Sequence, residues 1–498
     1  MIEIEDKFRV HPEFEVPDLA DPHGPVGIVS APRHLTLTAV YHDTCDLRLA
    51  REGITLRHRS GGDDDGWHLK LPVPGAGGGV REEILVEGSS DVLPPRLRGL
   101  VTAYLRGEPL QPRATLRTRR TTRDLLAADG ALLAELVDDQ VDALTHDHRA
   151  ARFREIEVED RGGGSVALDH VGAALREAGA VAGEFQPKVV RALGTQATAA
   201  PDPPAPVRPG PRDPVRALIA ATLRRHVRQL IEHDVGVRLG TPDALHQMRV
   251  SARRVRSALR SFGGLLDEQW SRQLADELRW LGHTLSAGRE NEVVAERLRD
   301  AFDQLGPEVV MDRAEARLMA MLEDDAAAAG EPVEAMLSGE RYVVLLAALV
   351  DGAAHPRTMD AADSPCEEVL PAVLRTSWRR LAQRASRARR PGSPPEALHK
   401  ARIAAKNTRY LADALVDVYG KPARRLERRL KEVQDVLGEH QDAVNACARL
   451  RSAALTPRVG RAAFTYGALF ALQEQAAELA REQFGGLWPT VKPPKLGR

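Results

Sequence analysis

Charge alternates with apolar residues along the first strand-like segment, Ile2-Glu3-Ile4-Glu5-Asp6-Lys7, and this period of two constrains the fold more than any other feature. Side chains alternate across a strand, so Glu3, Glu5 and Lys7 share one face while Ile2 and Ile4 take the other. The pattern returns as Arg57 with Arg59, His68 with Lys70, Arg117 with Arg119, and Glu155 with Glu157 and Glu159. Apolar neighbours such as Leu56, Leu69, Leu116, Ile156 and Val158 interleave with them, so one sheet face would carry dense charge of both signs. On a single strand such a face is ordinarily solvated and laced with cross-strand ion pairs. Its recurrence points to a ligand channel.

At 498 residues and 43% hydrophobic, the chain can bury the cores of two or three domains. Cys45, Cys366 and Cys447 lie far apart without a CxxC pair, which argues against a disulfide scaffold or zinc module and fits a reducing cytoplasm. The amino terminus opens on charge, and the longest apolar run, around Val343 to Val350, is too short to cross a bilayer. A soluble cytoplasmic protein with no membrane partner is expected. Residues 1–200 hold 24 Lys+Arg against 32 Asp+Glu and the remainder 46 against 39, so a basic second half follows an acidic first half.

Pro, Ala and Thr dominate from Thr195 to Pro214, a composition that makes a semi-extended spacer. The expected organisation is a domain over 1–195, a Pro/Ala-rich linker over 196–212 and a second domain over 213–490. Before the spacer, short alternating runs broken by turns such as Gly61-Gly62-Asp63 read as antiparallel β with a few helices. After it, Arg, Ala and Leu recur at helical spacing, so the second half is all α and the class is α+β.

The expected inward faces hold Arg57, Arg59, Lys70, Arg81, Arg117, Arg119 and Lys188, cations that suit an oxyanion rich in acceptors, such as a phosphate chain. The same faces hold Glu3, Glu5, Glu157 and Glu159, and paired carboxylates are what a hard divalent ion such as Mg²⁺ needs. Unpaired charges in a closed interior are costly, so this mixture implies that a ligand fills it.

Glu3-Ile4-Glu5-Asp6-Lys7 matches the ExExK signature of the CYTH domain, the triphosphate tunnel metalloenzymes. Tyr41-His42-Asp43-Thr44, Gly53 to Arg59, Trp67-His68-Leu69-Lys70, Glu135-Leu136-Val137-Asp138 and Glu155 to Glu159 resemble that family in order. The resemblance covers residues 1–195 and implies an antiparallel eight-stranded tunnel that binds a triphosphate with Mg²⁺ or Mn²⁺. It assigns metal to Glu3, Glu5, Glu157 and Glu159 with Asp138, and phosphate to Arg57, Arg59, Lys70, Arg117 and Arg119. Lys7 would stand beside the reacting phosphate. Glu155, Glu157 and Glu159 share a face, and the Asp160-Arg161-Gly162 turn favours the last two as the metal pair. Asp138 and Glu135 have opposite parity, so without a bulge only one points inward.

In the second half, His246, Arg249, Arg253, Arg256 and Arg260 recur every three or four residues and form one stripe along a helix. His399, Arg402, Lys406 and Arg409 repeat it, and Leu285 to Val293 parallels Leu437 to Asn445, an offset near 152 residues that marks a duplication into two helical bundles. A cationic stripe repels itself unless an anion answers it. With aromatics at only 4%, base stacking is a poor match, so nucleic acid is disfavoured against a base-free polyanion. These residues resemble the CHAD domain over 213–485, which implies inorganic polyphosphate binding, with Arg224, Arg225, Arg379 and Arg380 on the preceding helices as further contacts. Glu290 stands where that family usually has Asp. The combined expectation is a cytoplasmic, metal-dependent inorganic triphosphatase tethered to a polyphosphate-binding module, located at polyphosphate granules. The alternatives are a non-catalytic polyphosphate binder, an adenylate cyclase and a thiamine triphosphatase.

Overall fold

The computed structural model describes residues 2–21, 23–62, 64–73, 80–145, 148–183, 187–286, 289–327, 333–457 and 459–493. The chain divides after Asp202 into two compact units, the first mainly sheet and the second all helix.

The first unit carries strands β1 (Ile2–Arg9), β2 (Ile28–Val29), β3 (Arg33–Asp43), β4 (Thr55–Ser60), β5 (Gly66–Pro72), β6 (Val80–Val86), β7 (Gln111–Leu126), β8 (Leu132–Thr145), β9 (His148–Asp160) and β10 (Val181–Ala182). Helices α1 (Arg48–Arg51), α2 (Pro95–Leu105), α3 (Gly164–Glu177) and α4 (Val190–Leu193) decorate them. Eight strands run antiparallel in the order β1-β6-β5-β4-β3-β7-β8-β9, and β1 then pairs with β9 to close the barrel, as expected from the sequence. Closure leaves the long strands no free edge. Lys7 lies opposite Glu157 across that last seam.

Alternation assigns the faces. Phe8, Leu136, Ile156 and Val158 point outward, where Leu168, Val171 and Leu175 of α3 cover them. Glu5, Lys7, Glu157 and Glu159 point inward. The interior is not charged throughout: toward one end Ala39, Tyr41, Leu116, Val141 and Ala143 form an apolar layer that meets Val189 and Leu193 of the α4 segment.

The second unit comprises α5 (Val215–Arg238), α6 (Ala244–Ser261), α7 (Glu268–Thr284), α8 (Arg289–Phe302), α9 (Ala314–Ala327), α10 (Val333–Ser338), α11 (Glu340–Ala354), α12 (Cys366–Ala388), α13 (Pro395–Tyr419), α14 (Lys421–Ala454) and α15 (Ala462–Leu487). Its two halves meet reciprocally: Pro214 pairs with Pro365, the Val215 amide donates to Ser364 O at 3.1 Å and the Cys366 amide to Asp213 O at 2.9 Å. The stripe helices α6 and α13 pack against each other. Leu285 to Val293 runs from the end of α7 into the first turn of α8, with Ala287 and Gly288 outside the described residues, whereas its echo lies within the continuous helix α14. No described helix is long and apolar enough to cross a membrane.

Leu136→Ala would remove a fully buried side chain from beneath α3 and is expected to destabilise the barrel by about 2–5 kcal/mol, read as a lower urea midpoint of its unfolding transition.

Candidate functional site

The barrel encloses a cavity of about 320 Å³ whose wall carries both signs of charge. At its acidic pole Glu5, Glu157 and Glu159 bring one carboxylate oxygen each within 4.8 Å of one another. Lys7 Nζ donates to Glu157 Oε1 at 2.6 Å and lies 3.0 Å from Glu5 Oε1. Lys188, entering from the segment before α4, donates to Glu157 Oε2 at 2.7 Å and also pairs with the buried Asp139. Arg120 holds Asp139 through two bonds of 2.9 and 2.8 Å, and Arg161 bridges Glu135 and Glu159 at 2.7 Å each.

The other pole holds Arg57, Arg59, Lys70 and Arg81 on the neighbouring strands β4, β5 and β6. Arg57 donates to Tyr41 Oη at 3.1 Å and Arg59 pairs with Asp64, yet the Nε of each arginine is buried without a hydrogen-bond acceptor. His68 is held between Glu83 Oε1 at 2.8 Å and Asp64 O at 2.9 Å, and burial keeps its pKa below the usual imidazole value.

Electrostatics separate the poles further. Burial would depress Lys7, but Glu157, Glu5 and Glu155 override it and hold the ammonium well above its ordinary pKa. Burial would raise Glu157, but Lys188, Lys7 and Arg120 keep its carboxylate well below the usual range. Glu159 is pushed up, first by burial and then by Glu157. Arg59 is brought down to about 10 by burial and by the neighbouring Arg57 and Arg120, the mark of cations crowded without enough anion. Three converging carboxylates at the acidic pole are hard oxygen donors that fit a divalent ion such as Mg²⁺ or Mn²⁺.

The structure gathers Glu5, Lys7, Arg57, Arg59, Lys70, Glu157 and Glu159 in this cavity and turns other expected residues away. The Glu3 side chain lies outside the described residues. Arg117 and Arg119 are exposed on the outer face of β7 and must be struck from the cavity; Arg120 takes that place. The expectation failed because it put every apolar residue outside, whereas Ala114 and Leu116 face the barrel's apolar end and Arg120 continues their side of the strand. Asp138 must likewise be withdrawn: it points outward and receives two bonds from Arg154 at 2.9 and 2.7 Å, while Asp139 faces in. Glu83, Arg120, Asp139 and Arg161 were missed, and Arg120 and Asp139 sit one residue from those chosen.

In the helical unit, burial first and then Arg402 and Arg253 push the Lys406 ammonium down to about 7, so the two stripes meet around this lysine. Arg402 Nε is buried without an acceptor, and Arg256 is depressed by burial and by Arg260, Arg279 and Arg253. His399 Nδ1 lies 2.7 Å from Gln441 Oε1, and Arg409 donates to Gln434 at 2.9 Å and Glu427 at 3.0 Å. His246 and Arg249 occupy the first two turns of α6, half-buried. The preceding helices do not extend the stripes. Arg224 donates to the Ala353 and Ala354 carbonyls at 3.1 and 3.0 Å, closing the end of α11, and Arg225 pairs with Asp417, so both are corrected to structural roles. Arg379 is exposed, and Arg380 stands at a separate cleft. The Glu290 side chain lies outside the described residues.

Residues 1–191 match the CYTH domain model, and residues 221–451 match the CHAD domain model. Uncharacterized protein MT2285 of Mycobacterium tuberculosis (strain CDC 1551 / Oshkosh) is 34% identical over 511 residues, covering 97% of this chain and 94% of its own. Among solved structures, the CHAD domain from the plant Ricinus communis is similar at 24% identity and TM-score 0.47, covering 58% of this chain and 97% of that one. PptA from Streptomyces chartreusis follows at 23% identity and TM-score 0.46, covering 56% and 100%. The chain belongs to the proteins in which a CYTH domain, of the triphosphate tunnel family, is followed by a CHAD domain.

Glu157→Gln is expected to weaken Mn²⁺ binding by at least about tenfold in calorimetry, since even outer-shell losses reach that scale. Asp138→Asn would leave Mn²⁺ binding intact and lower stability by about 1–3 kcal/mol through its charged bonds with Arg154.

Proposed function

We propose that the barrel is a metal-dependent inorganic triphosphatase and that the helical unit binds inorganic polyphosphate, a partner that would bring the protein to polyphosphate granules in the cytoplasm. The observation that carries the barrel reading is one cavity holding a carboxylate triad opposite arginines whose buried Nε atoms lack acceptors. Crowded guanidiniums gain most from a ligand with many anionic oxygens, and a triphosphate is such a ligand.

Glu5, Glu157 and Glu159 would hold the divalent ion, which when bound supplies Lewis acidity toward phosphate and a more acidic water. Arg57, Arg59, Lys70 and Arg81 bind the phosphate chain and orient it toward the acidic pole. Lys7 remains protonated across the neutral range, so it serves as a donor to phosphate oxygens and stabilises the charge that develops on them as the terminal bond breaks. Arg120 and Lys188 act behind them: by holding Asp139 and Glu157 they fix where the carboxylates stand.

Phosphate release from inorganic triphosphate with Mg²⁺ or Mn²⁺ tests the reading, beside ATP, thiamine triphosphate and long-chain polyphosphate. Lys7→Ala is expected to lower kcat by about a hundredfold or more, the scale of losing one preorganised donor. Arg120→Ala should impair turnover while Arg117→Ala does not. Phosphate-free silence on every substrate, with polyphosphate still bound, would leave a binding protein; cyclic nucleotide from ATP would make it a cyclase.

For the helical unit the supporting observation is the meeting of Arg253, Arg402 and Lys406 from two repeats. Lys406 is neutral above pH about 7 and gains its proton below, so polyphosphate affinity should rise as pH falls from about 8 to about 6. Lys406→Met is expected to flatten that dependence, and Arg253→Ala combined with Lys406→Ala to remove most of the binding, measured by polyphosphate retention at fixed salt.

A further inference from the structure

The helical unit contains one interface built twice and filled once. Reciprocal pairing of Pro214 with Pro365 makes α5 the counterpart of α12, and the His246 and His399 stripes make the end of α13 the counterpart of the end of α6. Arg225 therefore corresponds to Thr376, and Asp417 to Gly264. In the first copy Arg225 bonds Asp417, Arg208 donates to the carbonyls of Asp417 at 3.0 Å and Val416 at 3.3 Å, and His226 beneath them is 4% exposed. In the second, Thr376 and Gly264 supply no such pair, and a cleft of about 1130 Å³ opens between α12, α13 and the end of α6.

The cleft joins an apolar wall to cations, and Arg260, the last member of the α6 stripe, is among its lining residues. Phe262, Leu265, Val369 and Val373 line its apolar part, while Arg380, Arg384 and Lys400 stand where the end of α12 meets the start of α13. Residues 369, 373, 380 and 384 share one face of α12, and Val369 to Arg384 spans roughly 22 Å at the helical rise. Among the described residues none of these three cations has an acidic partner. Lys400 lies on the side of α13 away from Arg402 and Lys406, so the cleft faces away from that stripe and meets the α6 stripe at Arg260. The volume is that of a small-molecule site.

We propose that this cleft binds a single-chain acyl amphiphile, with its oxyanion head held by Arg380, Arg384 and Lys400 and its tail laid along Phe262, Val369 and Val373. An apolar wall beside a cluster of cations matches such a molecule. A phosphate chain, charged along its whole length, would leave the apolar wall of Phe262, Leu265, Val369 and Val373 unanswered.

The test titrates palmitate, kept below its aggregation limit, into the full chain by calorimetry, with long-chain polyphosphate titrated in parallel. Gly264→Asp with Thr376→Arg installs the ion pair of the filled copy, and a Cβ at Gly264 meets no heavy atom within 4 Å. Palmitate affinity is expected to fall at least about tenfold in that variant and in Arg380→Glu with Arg384→Glu, while polyphosphate affinity of the Gly264→Asp, Thr376→Arg protein stays at the parent value. Failure of the parent to bind palmitate, equal palmitate binding by both variants, or joint loss of palmitate and polyphosphate in the cleft-filling variant would each overturn the proposal.

Discussion

Inside the barrel, Lys7, Glu157, Lys188, Asp139 and Arg120 form one continuous chain of ion pairs, and the rest of the site takes its geometry from it. Each member would be intolerable alone in a closed interior, because an unpaired buried charge loses several kcal/mol of hydration, roughly. Linked in this chain each has a neighbour of opposite sign, three cations against two carboxylates, which lets the barrel close before any ligand arrives. The balance is tipped toward positive charge. Glu157, Asp139 and Glu159 are answered by Lys7, Lys188, Arg120 and Arg161, whereas Arg57 and Arg59 retain buried Nε atoms with no acceptor, as Glu155 Oε1 lacks a donor, and the arginine atoms call for an anion.

Much of this was legible in the chain. Period-two alternation identified the strands and put Glu5, Lys7, Arg57, Arg59, Glu157 and Glu159 on a common wall, because alternation is fixed by backbone geometry and needs no tertiary knowledge. It failed at Arg117, Arg119 and Asp138 for a tertiary reason. Strand parity is readable only relative to an assumed inside, and the rule that apolar means outside breaks where the barrel interior itself turns apolar around Leu116 and Val141. Arg120 and Asp139, each one residue over, bond one another across β7 and β8, and a cross-strand pair of that kind is invisible until register is known.

The helical stripes were readable by spacing, yet Arg224 and Arg225, equally basic, serve helix ends and an inter-repeat ion pair. Charge count alone does not tell a ligand-facing cation from a structural one; its partner does. Duplication adds a second lesson. In one copy Arg225 and Asp417 pair across the seam, whereas in the other Thr376 and Gly264 stand at the corresponding positions beside a cleft.

The apolar layer around Tyr41 and Leu116, backed by Val189 and Leu193, has a consequence for traffic. A cylinder stoppered at one end is a cup: whatever occupies it has a single mouth for arrival and departure. Emptying the cup then becomes a step of its own, and the depth of the stopper sets how long an occupant it can hold.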